Sequence, residues 1–531
     1  MNVARVTRAI SPLALGITVA LASTAARAQV EPNPSAATTD AGVTPRSEAP
    51  PDSAPAPVVP PQPVAVATAA QETTPTRVAT STNAATSSAP AGTTAGPVNE
   101  FLRGFTFGSY GRVVFASDLR GHPARLTNLV AHGTRLDEQS YAEVELRRLD
   151  RFGPVQTRVV ATLAIDGPLF HSTGTFDTRL AVRNLYVEER GVGSRDLALW
   201  VGSRMYRGDD AYLLNWWPLD NLNTVGAGAR YDAGEYLTAQ AHVGTNRLDQ
   251  PYTYQVVRVA PRVGLGAVPI ALLDRIRAIG SFKFTWFAMG RNARAGLKVS
   301  VYGEFHGLPE GERQSVDTGR REALRSDFGV ALGGQVGLYS GVRNTHINLF
   351  FRYAQGLAAY GDLGVPYTVT ATQTSERARD VVLALSGNWE HEWFGIMGAA
   401  YLRYFRDADT AVYGRHELFE GTVDVRPTVW MGNYVGLSLD ASYQRVTYNV
   451  LDPVTGEGPA GGSVWRVGII PFVTPAGRGN YTRPQLRVLY TVSIRDDGAR
   501  RLYAPDDPAG YFGVEHFLGA GAEWWFDSSY L

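Results

Sequence analysis

The sequence predicts an all-β fold, a transmembrane antiparallel β-barrel that follows a secretion leader and a disordered N-terminal extension. Three observations predict it. The chain opens on a short leader, it falls from about Glu100 onward into segments of roughly ten residues with alternating polarity, and after the leader it contains no run of about 18 apolar residues. Lipid leaves no way to satisfy the backbone except helices and closed barrels. An exported chain without spanning helices is therefore either soluble beyond the inner membrane or a barrel.

Residues 1–28 read as a signal peptide. Arg5 and Arg8 give a positive start, Leu13–Leu21 a short apolar stretch, and Ala26-Arg27-Ala28 a small-x-small cleavage site before Gln29. Residues 29–98 are rich in Ala, Pro, Thr and Ser, with hardly an aromatic. Such a composition buries too little apolar surface to offset the entropy of ordering, so a disordered periplasmic linker is expected. If extended, about 70 residues reach on the order of 200 Å. That length suits a tether across the periplasm to the cell wall, and equally a featureless spacer.

Residues 99–531 form the expected barrel. In Leu237–Gly244, the apolar Leu237, Ala239, Ala241 and Val243 share one face and Thr238, Gln240 and His242 the other. In Leu297–His306, Val299, Val301 and Phe305 oppose Lys298, Ser300, Tyr302, Glu304 and His306. Val155–Asp166 sets Gln156, Arg158 and Thr162 against Val159, Leu163 and Ile165. A soluble sandwich shows the same alternation. Strand length, charges on the polar face and aromatics at strand ends favour the barrel. The domain divides into about 16 to 18 strands at roughly 24 residues per strand and connection, a size that leaves an aqueous channel. The stretch Ile270–Ala278 reads instead as helix-like.

Composition narrows the function. Lys+Arg and Asp+Glu stand at 50 each, so no net field draws the chain to nucleic acid. There are no cysteines, which removes disulfides, thiolate metal sites and thiol nucleophiles together. No nucleophile elbow, zinc-binding helix motif or phosphate loop occurs. No enzyme, metal or cofactor is expected.

Binding has more support. Period two puts Tyr110 and Arg112 on one face of the first strand, and Tyr141, Glu143 and Glu145 on the polar face of the next. A flat ring packs on the C–H face of a pyranose while flanking charges bond its hydroxyls. The pattern alone leaves open that these tyrosines are interface belt or wall filler.

Phe107-Gly108-Ser109-Tyr110-Gly111-Arg112, followed by Arg135-Leu136 and Tyr141-Ala142-Glu143, resembles the opening of the maltoporin family. Trp200 to Tyr206 through Asp210, closing on Gly226-Ala227-Gly228, resembles that family's strand and inward-folded constriction loop. Tyr481-Thr482-Arg483-Pro484 with Arg487-Val488, and Gly519-Ala520 to Glu523-Trp524-Trp525-Phe526, resemble its later strands.

The resemblance implies an 18-stranded homotrimer in the outer membrane of a Gram-negative bacterium, with a lengthwise aromatic track, the greasy slide, for malto-oligosaccharides. Position by position it implies Tyr110, Tyr141, Tyr481 and Trp525 as slide rings and Trp217 at the constriction. Arg112, Arg135, Glu143, Arg183 and Asp210 follow as polar partners. Gly208 and Asn215 stand where the family has a constriction arginine and aspartate, which removes charge-assisted bonds and alters sugar preference. His346 falls nearest the slide phenylalanine, and Phe170 or Phe176 nearest the tryptophan that a neighbouring subunit contributes. Two other readings remain, a general or anion-selective porin and a cell-wall-tethering barrel. Deleting Gln29–Pro97 is expected to leave single-channel conductance nearly unchanged while abolishing any attachment to the cell wall, measured by co-sedimentation with peptidoglycan.

Overall fold

A computed structural model describes residues 104–136, 138–167, 174, 178–315, 318–341, 344–411 and 416–527. The leader, the linker, Phe170 and Phe176 lie outside them. The described chain forms one 18-stranded antiparallel sheet that closes on itself. Its first seven strands are β1 (Phe105–Ser117), β2 (Tyr141–Phe152), β3 (Val155–Asp166), β4 (Arg179–Arg190), β5 (Leu197–Arg207), β6 (Asn221–Ala233) and β7 (Leu237–Asn246). A hairpin of β8 (Tyr254–Val259) and β9 (Val268–Asp274) stands outside the sheet. The wall resumes with β10 (Arg277–Phe287) and β11 (Ala295–Leu308), then leaves again as the hairpin β12 (Gly311–Gln314) and β13 (Arg321–Leu324). It is completed by β14 (Asp327–Ser340), β15 (Thr345–Gly356), β16 (Arg379–Glu390), β17 (Phe394–Arg406), β18 (Glu417–Met431), β19 (Val435–Leu451), β20 (Pro459–Val473), β21 (Gln485–Arg495) and β22 (Val514–Phe526). The seam is β1 on β22, from Ser109 opposite Phe526 to Ser117 opposite Leu518.

Polarity across the wall is the reverse of a soluble protein. On β19 and β20 the outward Leu439, Trp465 and Val467 are 50%, 56% and 57% exposed, while the inward Asp440, Gln444 and Arg466 are at most 1% exposed. The two-residue alternation therefore sorts an oily exterior from a charged interior, as hydrocarbon outside and polar groups inside require. Exposed aromatics ring the ends of the strands. Phe152, Tyr236, Trp393 and Tyr434 lie at one end, and Phe115, Phe328 and Phe419 at the other.

The two ends differ. Both termini of the barrel lie at the end closed by tight turns such as Gly153-Pro154 and residues 234–236, 391–393 and 432–434. Gly432 sits at φ 83°, a conformation that favours glycine. The other end carries most of the long excursions, including 118–140, 208–220, 247–276, 357–378 and 496–513. Gly111 illustrates a different constraint. The Trp524 ring of β22 lies across it, and a Cβ there would come within 2.1 Å of the indole.

The helix-like reading of Ile270–Ala278 is corrected. Ile270 to Asp274 belong to strand β9 and Arg277 opens β10. Arg275 between them is buried and donates to the carbonyls of Tyr252, Pro309 and Arg325, which fixes an extended backbone there. Tertiary hydrogen bonds override local propensity.

A charge placed on the oily face should be costly where the same charge in the bore is not. Leu439→Lys is expected to lower unfolding stability in detergent or lipid by about 2–4 kcal/mol. Gln240→Lys should change it by less than about 0.5 kcal/mol, as a substitution away from buried features does. Urea titration followed by tryptophan fluorescence checks both.

Candidate functional site

Two excursions from the long-loop end fold into the bore. Residues 118–140 cross toward β17, β18 and β19, where the backbone N–H groups of Leu129, Ala131 and His132 donate to Gln444 (2.9 Å), Glu420 (3.0 Å) and the Tyr401 hydroxyl (3.1 Å). Residues 208–220 carry a turn of 3-10 helix, Tyr212–Leu214, that ends on Asn215 in the left-handed conformation (φ 56°). The segments meet where the Arg135 N–H donates to the Leu213 carbonyl at 3.1 Å. Leu213, Leu214, Trp216 and Leu219 anchor the second segment in an apolar cluster with Phe350, Met397 and Tyr401.

Ion pairs tie the second segment to the wall. Lys298 on β11 grips Asp209 at 2.6 Å, and Lys283 on β10 grips Asp220 at 2.8 Å. Burial pushes the Asp209 carboxyl up, but the Lys298 and Lys283 ammonium groups override it and hold the group well below the usual carboxylate range. Burial, then the Arg403 and Arg352 charges, push the His132 imidazole well below its ordinary value. It stacks as a neutral ring on Trp216, centroids 4.1 Å apart.

Gly208 now has a reason. A Cβ there would meet the Asp220 carboxylate at 2.1 Å and the Lys283 ammonium at 2.6 Å. The space an arginine side chain would need is filled by this pair, so the cation of the constriction comes from β10 rather than from the loop. Asn215 donates its amide to Glu138.

Of the residues singled out in the sequence, Tyr110, Arg112, Arg135, Tyr141, Glu143, Arg183 and Trp525 come together at the seam, whereas Asp210, Trp217 and Tyr481 lie away from it. Register sets Tyr110 opposite both Glu143 on β2 and Trp525 on β22, and Arg112 opposite both Tyr141 and Glu523. Tyr110 and Tyr141 are buried with ring centroids 6.0 Å apart, and Trp525 packs against them. Arg112 and Arg135 each donate to the Tyr110 hydroxyl at 3.0 Å. Tyr141 donates to Glu143 at 2.5 Å, and Arg183 pairs with Glu143 at 2.7 Å. Tyr481, in the turn before β21, stacks with His346 at 6.3 Å. Burial and then the Asp210 carboxylate push the Tyr481 hydroxyl well above its ordinary value, and the Asp210 carbonyl accepts from the Ser386 hydroxyl at 3.0 Å. Trp217 lies under the Arg207 guanidinium at 4.1 Å, whereas its neighbour Trp216 joins the apolar cluster.

Tyr212 escaped sequence reasoning. Its ring lies edge-on to Tyr481 at 5.4 Å and to Trp525 at 6.2 Å, bridging the two. The rings thus run Tyr141, Tyr110, Trp525, Tyr212, Tyr481, His346. A loop residue carries no periodic signal, so Tyr212 was invisible. Glu523 was also passed over, although it shares the inward face of β22 with Trp525. It is 2% exposed and accepts Arg135 and Arg483 at 2.8 Å each, and Arg487 as well. Among the described residues no group of three or more His, Asp or Glu is gathered to hold a metal.

Removing a carboxylate shared by the buried Arg135 and Arg483 and the partly buried Arg487 leaves these guanidiniums uncompensated. Glu523→Ala is expected to cost about 3–5 kcal/mol of unfolding free energy in detergent. Asp497→Ala, which breaks an exposed pair with Arg500, should cost below about 1 kcal/mol.

Comparison with known proteins places the chain. No curated protein matches its sequence. Solved structures that resemble it include OccD3 (OpdP) of Pseudomonas aeruginosa, 10% identical over 80% of this chain and 91% of that one, with a TM-score of 0.39. The outer membrane channel DcaP of Acinetobacter baumannii is 9% identical over 80% and 98%, with a TM-score of 0.43. The trimer form of OmpT, an outer membrane protein of Vibrio cholerae, is 12% identical over 80% and 99%, with a TM-score of 0.35. The decisive match is to a family model, LamB porin, over residues 105–526, which runs from the first strand of the barrel to the last. This chain belongs to the LamB porin family and is an outer-membrane channel.

Proposed function

We propose that the channel passes oligosaccharides of the malto-oligosaccharide kind, by passive diffusion along the ring track. The observation that carries this reading is the continuous run from Tyr141 to His346, flanked by paired arginines and carboxylates. Aromatic faces offer a pyranose a surface to slide on, and each contact must be weak, because flux needs departure as well as entry. Tyr110 and Tyr141 are covered by their own partners, Arg112, Arg135 and Arg183. A sugar hydroxyl entering there takes over a guanidinium–phenol bond rather than making a new one, which keeps the net gain small.

Tyr110, Tyr141, Tyr212, Tyr481 and Trp525 are assigned as rings, with Trp217 under Arg207 as a further station on the constriction loop. Arg112, Arg135, Glu143, Arg183 and Asp210 are assigned as the groups that trade hydroxyl bonds. Likeness to the maltoporin family supports a homotrimer. Residues 1–28 are assigned as a signal peptide and 29–98 as a periplasmic linker, on composition.

Titrating maltohexaose into planar-bilayer recordings tests the reading. Concentration-dependent block is expected. Tyr141→Ala and Trp525→Ala should each raise the half-blocking concentration about three- to tenfold, the worth of one aromatic contact. Conductance indifferent to maltohexaose would leave a general porin.

A further inference from the structure

Arginines around the seam outnumber the carboxylates that answer them. Glu523 alone receives Arg135, Arg483 and Arg487, while Arg112 and Arg135 share Glu138 at 3.3 and 3.5 Å. Beside them lie two small voids of about 20 Å³ each, whose walls have Leu136, Arg426 and Arg487 in common. Voids of this size admit one small polar group and no sugar ring. Behind Arg426 stand Asp440, paired with it at 2.8 Å, then Asp424 and Arg466. With these counted, the guanidiniums of Arg112, Arg135, Arg426, Arg466, Arg483 and Arg487 still face only four carboxylates, on Glu138, Glu523, Asp424 and Asp440.

Two of the guanidiniums that line the voids are incomplete. Arg135 Nη1 and Arg426 Nη2 are buried and have no hydrogen-bond partner. Both side chains are more than nine-tenths buried, at 5% and 8% exposed, and both residues line the first of these voids. A charged donor left unbonded away from water is costly, and two beside one void suit an acceptor that arrives from outside. Rings stand next to them. Arg135 lies over Tyr212 at 4.4 Å and Arg483 over Trp525 at 4.1 Å.

We propose that the void lined by both residues is an oxyanion subsite, and that the preferred solutes are acidic oligosaccharides whose carboxylate or sulfate group is held between Arg135 and Arg426. Guanidinium binds such oxygens with shorter and stronger bonds than it gives a hydroxyl. The adjacent rings hold the sugar that carries the charge. The inference rests on the oligosaccharide reading above and narrows its substrate class.

Bilayer recordings of the full chain, with hexagalacturonate, maltohexaose and inorganic sulfate compared as blockers, test it. Hexagalacturonate is expected to block at a concentration on the order of tenfold lower than maltohexaose, an advantage that shrinks as KCl screens the charges. The double variant Arg426→Gln/Asp440→Asn removes one pair without stranding either charge, and should cut the hexagalacturonate-to-maltohexaose ratio severalfold. Should that variant fail to assemble, the unaltered channel still decides. Maltohexaose blocking as well as hexagalacturonate would overturn the oxyanion subsite and leave the sugar channel standing. No block by either sugar would overturn both. Sulfate alone competing as well as hexagalacturonate, or a double variant that keeps the full ratio, would also overturn the proposal, as a plain anion site or a site placed elsewhere.

Discussion

Everything in this molecule depends on closing a sheet inside hydrocarbon. A lipid environment offers no acceptor for a stray N–H, so the unpaired edges of β1 and β22 must find each other. They do so over nine successive residue pairs, Ser109 to Ser117 against Phe526 back to Leu518. Once the ring is shut, alternation fixes the rest. One side chain in two must be oily and the next is free to be charged, which is why Leu439 and Asp440 stand side by side on one strand.

The interior this creates is crowded with charge. The segments 118–140 and 208–220 fold into it, and Asp209, Asp220 and Glu523 are held there by named cations. Buried pairs of this kind contribute little net stability but set geometry firmly. The constriction loop is pinned at both ends by lysines of the wall, and its tip presents Tyr212 to Trp525 and Tyr481.

Much of the wall was legible in the sequence, because a strand facing lipid on one side and polar groups on the other has a period that composition cannot hide. The faces assigned to Leu237–Gly244 and Leu297–His306 are the faces found, with Val243 and Val301 outward and His242 and Glu304 inward. Tyr110, Arg112, Tyr141, Glu143 and Trp525 were legible for the same reason. Loops carry no such period. The bridge made by Tyr212, the stacking of His132 on Trp216 and the filling of the Gly208 space by Lys283 all depend on where an irregular segment folds. Ile270–Ala278 misled because apolar runs of that length fit helix and strand alike.

The seam has a temporal meaning as well. Trp524 donates its indole N–H to Ser109 at 3.0 Å across 415 residues of chain, the kind of distant meeting that slows assembly most. Tyr110 and Arg112 come from one margin of that junction, Glu523 and Trp525 from the other. A half-zipped intermediate would possess strands, turns and oily surface, yet no place for a solute to dwell. On the sugar-channel reading proposed above, recognition is born only when the molecule finishes itself, and ligand capture doubles as a certificate of completed assembly.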